Sequence, residues 1–159
     1  MNPHSDLYDR DVRVWAETQV RLLKQGRIRE LDVEHLIAEL EDMGKSQLRE
    51  LESRLIVLIA HLLKWQFQLE TLAAQWRDFE GKSWRKTIIE QRVQLAFLLD
   101  QVPSLKPALQ SAVAAAYPAA RRLTIKETNL APTLFPPTCP YAVDQLLDED
   151  FYPETEGRS

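Results

Sequence analysis

The chain predicts an all-α fold, a single-domain bundle of about five helices with a long central helix and a proline-rich C-terminal tail packed back on the bundle. Three observations carry that prediction. Between Ser46 and Leu69, turning the chain at about 100° per residue gathers Leu48, Leu51, Leu55, Leu58, Leu62, Trp65 and Leu69 into one band, the inner stripe of an amphipathic helix. Glycine occurs only four times in 159 residues, too rarely for sheet-and-turn architectures. Neither G-x-G-x-x-G nor a Walker phosphate loop is present. Beyond Leu130, Pro132, Pro136, Pro137, Pro140 and Pro153 force extended chain.

The central stretch supplies much of the folding drive. From Leu55 to Leu63 only His61 is polar, so neighbours are expected to cover this part of the helix on more than one side. Each large apolar side chain fully buried contributes roughly 1.5 to 3 kcal/mol. A membrane span would need ~20 apolar residues. Arg54 and Lys64 bracket a run far shorter than that.

The length is that of one ordinary domain, read as a helical bundle over 6–130 and an acidic, proline-rich tail over 131–159. A net charge of −4 gives no global basic field for nucleic acid. The lone Cys139 forms no internal disulfide and no cysteine-based zinc site, and its P-T-C-P setting suggests a packed tail residue. The start Met-Asn-Pro-His-Ser-Asp has neither an apolar signal region nor an Arg-rich presequence, so a soluble, cytoplasmic chain is expected.

The elements follow in order. A first helix is expected from Asp6 or Asp9 to Gln25, with Val12, Trp15, Ala16, Gln19, Leu22 and Leu23 inward and Gly26 as its left-handed cap. Gln19 on that stripe must bond to backbone or to another helix. Asp32 is placed to cap a short second helix, Val33 to Met43, with Leu36, Ile37, Leu40 and Met43 inward and Gly44 ending it. Ser46 then caps the central helix, and Glu70 to Lys82 fits helix or turn alike until Gly81 breaks it. A fourth helix starts near Ser83, with Trp84, Ile88, Gln91, Leu95, Leu98, Leu99 and Val102 inward. Lys82, Arg85, Lys86 and Arg92 gather on its early turns and are expected to pair with the acidic second helix or the tail. The fifth helix, Leu105 to Asn129, packs closely through its alanines and kinks at Pro118.

The tail carries one short helix, Tyr141 to Leu147. Its large apolar groups, Leu134, Phe135, Tyr141, Leu146, Leu147, Phe151 and Tyr152, are too many for a solvated disordered segment and are expected to strap it to the bundle.

Several phrases in one order carry a family resemblance: YDRDVRVWAETQVRLLKQGR, LDVEHLIAELEDMGKSQLRELESRL, HLLKWQ, SWRKTIIEQR, PSLKPAL and FPPTCPYAVDQLLDEDFYP. They resemble the bacterial and cyanobacterial family known as domain of unknown function twenty-nine, over Leu7 to Pro153. The resemblance implies an all-α bundle and no named activity. The chain departs from the family pattern where His35 stands in place of Asn and Ala38 in place of Glu, so His35 is not carried over as a family ligand. The stretch Glu70 to Gly81 is longer than the pattern.

Function is open between classes. One expectation is a non-enzymatic interaction or regulatory module with a protein partner, because the chain lacks a nucleophile motif, a metal constellation and any cofactor signature. The alternative is a HEPN-like, metal-independent ribonuclease with Arg54 and His61 as catalytic residues: a His can move the 2′-hydroxyl proton, and a guanidinium can hold the phosphate. The bland reading of this pair is a polar network that fixes helix register, with Glu39 and Glu127 as candidate acids. His35 and Glu39, one turn apart, could share a metal only with further ligands, and no second E-x-x-H exists. Nucleic-acid binding through Lys82, Arg85, Lys86, Arg92, Arg121 and Arg122 is disfavoured by the acidic balance.

Overall fold

The computed structural model describes residues 4–75 and 80–156, and among these there is no strand. Six α-helices are present in the described chain: α1 Ser5–Arg10, α2 Val12–Lys24, α3 Val33–Gln75, α4 Lys82–Gln101, α5 Leu109–Thr128 and α6 Val143–Leu147. Three 3-10 turns, Ile28–Glu30, Pro103–Ala108 and Pro132–Leu134, join them. No helix among the described residues is long and apolar enough to cross a membrane. The chain divides into two compact units, Met1–Ser46 and Gln47–Ser159, and α3 contributes to both.

In the first unit the single helix expected up to Gln25 is two helices. Asp11 adopts extended backbone (φ −157°, ψ 90°), and its carboxylate accepts the Val14 N–H at 3.1 Å. An aspartate that satisfies an orphan amide at a helix start is worth more there than inside a continuous helix. Gly26 ends the segment after α2 with φ 68°, as its position suggests. The buried face of α2 is narrower than expected: Trp15, Gln19 and Leu22 are buried, while Val12, Ala16 and Leu23 are exposed.

The expected break at Gly44 is absent, and α3 runs unbroken from Val33 to Gln75. Among the described glycines only Gly26 and Gly81 take positive φ. A helical glycine costs about 1 kcal/mol against alanine, too little to end a helix whose flanking turns are sound. With no chain reversal after Met43, the side chains expected inward are uncovered. Ile37, Leu40 and Met43 are 52%, 65% and 63% exposed, and Leu36 is half-buried.

In the second unit α3 behaves as its pattern demands. Leu51, Leu55, Leu58 and Leu62 are fully buried, joined by Ile59, Ala60 and Leu63 from the adjoining faces. Trp65 and Leu69 are half-buried, and Leu48 at the stripe's start is exposed. From α4 come Ile88, Leu95, Leu98 and Leu99; from α5 come Leu109, Ala112, Val113, Ala116, Tyr117 and Ala120. The buried alanines of α5 recur one turn apart, and the Thr124 hydroxyl lies 3.5 Å from the Ala60 carbonyl of α3. Pro118 sits on the exposed side of α5, which continues through it. The first turns expected of this helix are instead the 3-10 segment carrying Pro107, and Asn129 ends α5 with φ 55°.

Between α3 and α4, residues 76–79 lie outside the described chain; helix persists to Gln75 on their near side. Gly81 starts α4, ahead of the expected Ser83, with φ 68°. A Cβ there would lie 2.8 Å from Leu69 Cδ1 and 3.3 Å from Trp65 Cζ3, so both conformation and space call for glycine.

The tail is strapped down. Phe135, Tyr141 and Leu146 are buried, and Leu147, Phe151 and Tyr152 pack against the same core, whereas Leu134 is exposed. Polar groups of the bundle hold the tail backbone: Arg121 donates to Pro132 O at 2.7 Å, and Tyr117 to Pro136 O at 2.5 Å. The Tyr141 hydroxyl donates to Gln66 Oε1 at 2.7 Å, and Gln66 O accepts the Glu156 N–H at 2.7 Å. Arg92, expected in a surface patch, is 3% exposed and donates to Leu146 O at 2.9 Å and Gln145 O at 3.2 Å, closing the last turn of α6. Cys139 is half-buried, its thiol pushed up by burial.

Leu55→Ala or Leu62→Ala is expected to cost about 2 to 5 kcal/mol in denaturant unfolding, because each empties a site walled by helices that cannot collapse. Truncation after Leu130 uncovers the apolar surface under Phe135, Tyr141 and Leu146, so a lower melting temperature or aggregation is expected. An unchanged melt with monomeric behaviour would show the strap to be dispensable.

Candidate functional site

Arg54 and His61 lie on α3, two helical turns apart, each engaged on its own helix. Arg54 donates to Glu50 Oε1 from Nε at 3.1 Å and from Nη2 at 3.0 Å. The His61 Nδ1 lies 2.8 Å from Val57 O. A carbonyl only accepts, so Nδ1 carries the proton and Nε2 is left as the basic nitrogen. Burial pushes the His61 pKa down, and Lys64 adds to this against the opposing pull of the Val57 carbonyl and Glu127. His61 is therefore neutral at neutral pH. The acids suggested for this pair are engaged elsewhere: Glu127 pairs with Lys64, and Glu39 accepts from Tyr8. Glu50, not singled out in the sequence, is the acid on Arg54, and the i, i+4 spacing was its signal.

The first unit holds a denser polar cluster. Asp32 is 2% exposed. Its Oδ2 accepts the Trp15 indole N–H at 3.0 Å and lies 2.7 Å from His35 Nδ1, while its backbone N–H donates to Gln19 Oε1 at 2.8 Å. The buried Gln19 thus finds backbone on another segment, as its stripe position requires. Burial by itself raises the Asp32 pKa, but the bonds from His35 and Trp15 together outweigh it and hold the carboxyl below its ordinary value. The carboxylate only accepts, so His35 Nδ1 carries the proton of this bond.

Tyr8 stacks on the His35 ring at 4.0 Å and meets Trp15 edge-on at 4.9 Å, and its hydroxyl donates to Glu39 Oε1 at 2.5 Å. That bond, foremost, raises the Tyr8 pKa. His35 and Glu39 are thereby committed to Tyr8 and Asp32. Among the described residues no three His, Cys, Asp or Glu side chains gather to hold a metal ion. The carboxylate three residues before His35 was visible in the sequence as D-V-E-H; its partners Trp15 and Tyr8 were not.

The second unit presents an exposed apolar stripe beside a groove. On α4 the outward residues Ile89, Val93 and Phe97 recur every fourth position and are 47%, 52% and 62% exposed. Beside them opens a groove of about 250 Å³ lined by Ile89, Arg92, Val93, Glu149 and Asp150. Its floor is fixed by Arg92, which closes α6 and lies under the Tyr152 ring at 5.5 Å. Its rim is acidic, since Glu149 and Asp150 follow α6 on the exposed side. Sequence reasoning chose the inner face of α4 correctly and passed over the outer one, although the i, i+4, i+8 spacing of Ile89, Val93 and Phe97 was its signal.

A family model described as "Domain of unknown function DUF29" matches residues 7–152. No curated protein and no solved structure matches the chain.

The Asp32 cluster has a pH signature. A carboxyl held below its ordinary value adds stability that is complete above about pH 4 and is lost as pH falls through the lower folded value. Asp32→Asn is expected to lose roughly 1 to 3 kcal/mol at neutral pH, because the buried negative charge that the indole and imidazole donate to is lost and the amide NH2, a donor, replaces one carboxylate oxygen among the N–H groups of Trp15 and His35. Exchange protection of the Trp15 indole proton, followed against pH, should drop on acidification in the wild type and be low at every pH in the variant.

Proposed function

We propose that this chain, which belongs to the DUF29 family over nearly its whole length, is a non-enzymatic docking module that binds a basic, amphipathic helix of a partner protein along α4. The observation that carries the reading is the exposed stripe Ile89, Val93 and Phe97 beside the acidic rim Glu149 and Asp150. A docked helix presents apolar anchors at i, i+4 and i+7 or i+8, the repeat of this stripe. Lysines or arginines on its flank would meet the rim and set orientation and on-rate. Arg92 keeps the groove in shape because its bonds to Gln145 and Leu146 hold the acidic turn against α4. The proposed setting is a bacterial cytoplasm, where a lone thiol such as Cys139 stays reduced.

Fluorescence anisotropy with two synthetic helical peptides tests the reading, one bearing leucines on one face and lysines on its flanks, the other with glutamates replacing the lysines. The basic peptide should bind, more weakly as salt rises, and the acidic one at least tenfold less tightly. Phe97→Asp should lower affinity at least tenfold, and Glu149→Lys with Asp150→Lys severalfold, with melts intact. Equal binding of both peptides, or none, removes the proposal. Metal-independent cleavage of single-stranded RNA, lost in Arg54→Ala and in His61→Ala with melts intact, would replace it with the ribonuclease reading.

A further inference from the structure

Helix α5 and the start of the tail carry an excess of base on a chain that is acidic overall. The sequence holds 24 acids and 20 bases, yet between Gln101 and Val143 the bases Lys106, Arg121, Arg122 and Lys126 stand against one acid, Glu127. Glu127 is already paired with Lys64 of α3. Arg121 is held by the carbonyls of Pro132 and Phe135, which fix its charge in place without a carboxylate. Arg122 and Lys126, one turn apart, are exposed, and neither has an ion-pair partner among the described residues.

At 100° per residue, Pro118, Arg122 and Lys126 form a ridge about 80° wide along α5. A groove opens on each side of it. One, of about 440 Å³, is bounded by Ala119 and Leu123. The other, of about 430 Å³, is bounded by Ile125, Arg121 and, from the tail, Pro137.

We propose that this face takes an extended, acidic segment of a partner protein that crosses the ridge. In an extended chain, residues i, i+2 and i+4 point to one side at intervals of about 7 Å. An apolar–acid–apolar order at those positions sets a carboxylate against Arg122 and Lys126 and an apolar side chain in either groove. Both cations are free to receive it, and a guanidinium takes a carboxylate through two parallel bonds. An amphipathic helix fits less well, because its apolar stripe is central and its charges lie on the flanks, the inverse of the order here. Nucleic acid fits less well too: three neighbouring cations beside apolar grooves make few phosphate contacts, on a chain of net charge −4. These grooves share no lining residue with the groove on α4 and ask the opposite charge of their ligand, so the inference stands apart from the reading of α4.

Fluorescence anisotropy of the full chain with the labelled peptide Pro-Leu-Ser-Glu-Ser-Leu-Pro, kept from helix by its prolines, tests the proposal. The peptide should bind, more weakly as salt rises, and versions with glutamine for the glutamate or serine for both leucines should each bind severalfold less tightly. Arg122→Glu with Lys126→Glu should lower affinity at least tenfold. Ala119→Trp, which fills one groove and leaves the charges alone, should lower it severalfold, with melts intact because all three side chains are exposed. Phe97→Asp should leave it unchanged, which separates this face from the α4 groove. No binding up to millimolar peptide overturns the proposal, as does binding indifferent to the paired charge reversal or to Ala119→Trp. A single-stranded oligonucleotide that binds more tightly than the peptide, and is lost with the same two cations, overturns it in favour of a phosphate site.

Discussion

Withdrawal of one side of α3 from water, from Leu51 to Leu63, is the interaction on which the second unit depends. Seven residues of that stretch are fully buried, Leu51, Leu55, Leu58, Ile59, Ala60, Leu62 and Leu63, so the helix is covered on adjoining faces by α4 and α5 together. The hydrophobic term is non-directional, so direction comes from shape. Ala112, Ala116 and Ala120 on α5 offer almost no side chain and are buried, and on the same helix the Thr124 hydroxyl reaches the Ala60 carbonyl of α3. Leucines from α4 close the other side, and the tail lays Phe135 against Phe67 at 5.3 Å between ring centres.

Two buried polar side chains convert this non-specific burial into a fixed arrangement. Arg92 loses its hydration on entering the core, and burial lowers its pKa for that reason. Its remaining bonds go to the main chain of α6, so any slip of the tail leaves the guanidinium and two carbonyls unsatisfied together. Asp32 does the same work in the first unit, where one carboxylate ties an indole, an imidazole and the first turn of α3. Each network specifies position because leaving it half made costs more than making it.

The surfaces left apolar stand out against that economy. Single exposed apolar residues are ordinary on any protein, but aligned ones at helical spacing mark contact faces. Ile89, Val93 and Phe97 align on α4, and Val33, Ile37 and Leu40 align on α3, each within a different compact unit. Both stripes run beside charge that limits what can cover them. The α4 stripe has Glu149 and Asp150 at its rim, the feature on which the proposed basic partner rests. The α3 stripe has Glu34, Glu41 and Lys45 along one border.

The sequence by itself determined that the protein is all α, that Leu51 to Leu62 is its inner stripe, and that the proline-rich tail is anchored, because periodicity and proline act locally. Capping was legible where one residue settles it, as at Gly26 and Asp32. Where two local signals competed, the sequence misled: Asp11 splits the first helix, and Gly44 with Ser46 fails to end α3, since a penalty of about 1 kcal/mol yields to the turns on either side. Only the tertiary structure decided which apolar faces are covered and which are free. Val33, Ile37 and Leu40 carry the same helical spacing as Leu51, Leu55 and Leu58, yet one set is exposed and the other buried. Periodicity names the face of a helix, but burial depends on whether another element arrives to cover it. The partners of Arg92 and Asp32 were hidden for the same reason, since they come from residues distant in the chain that share no pattern with them.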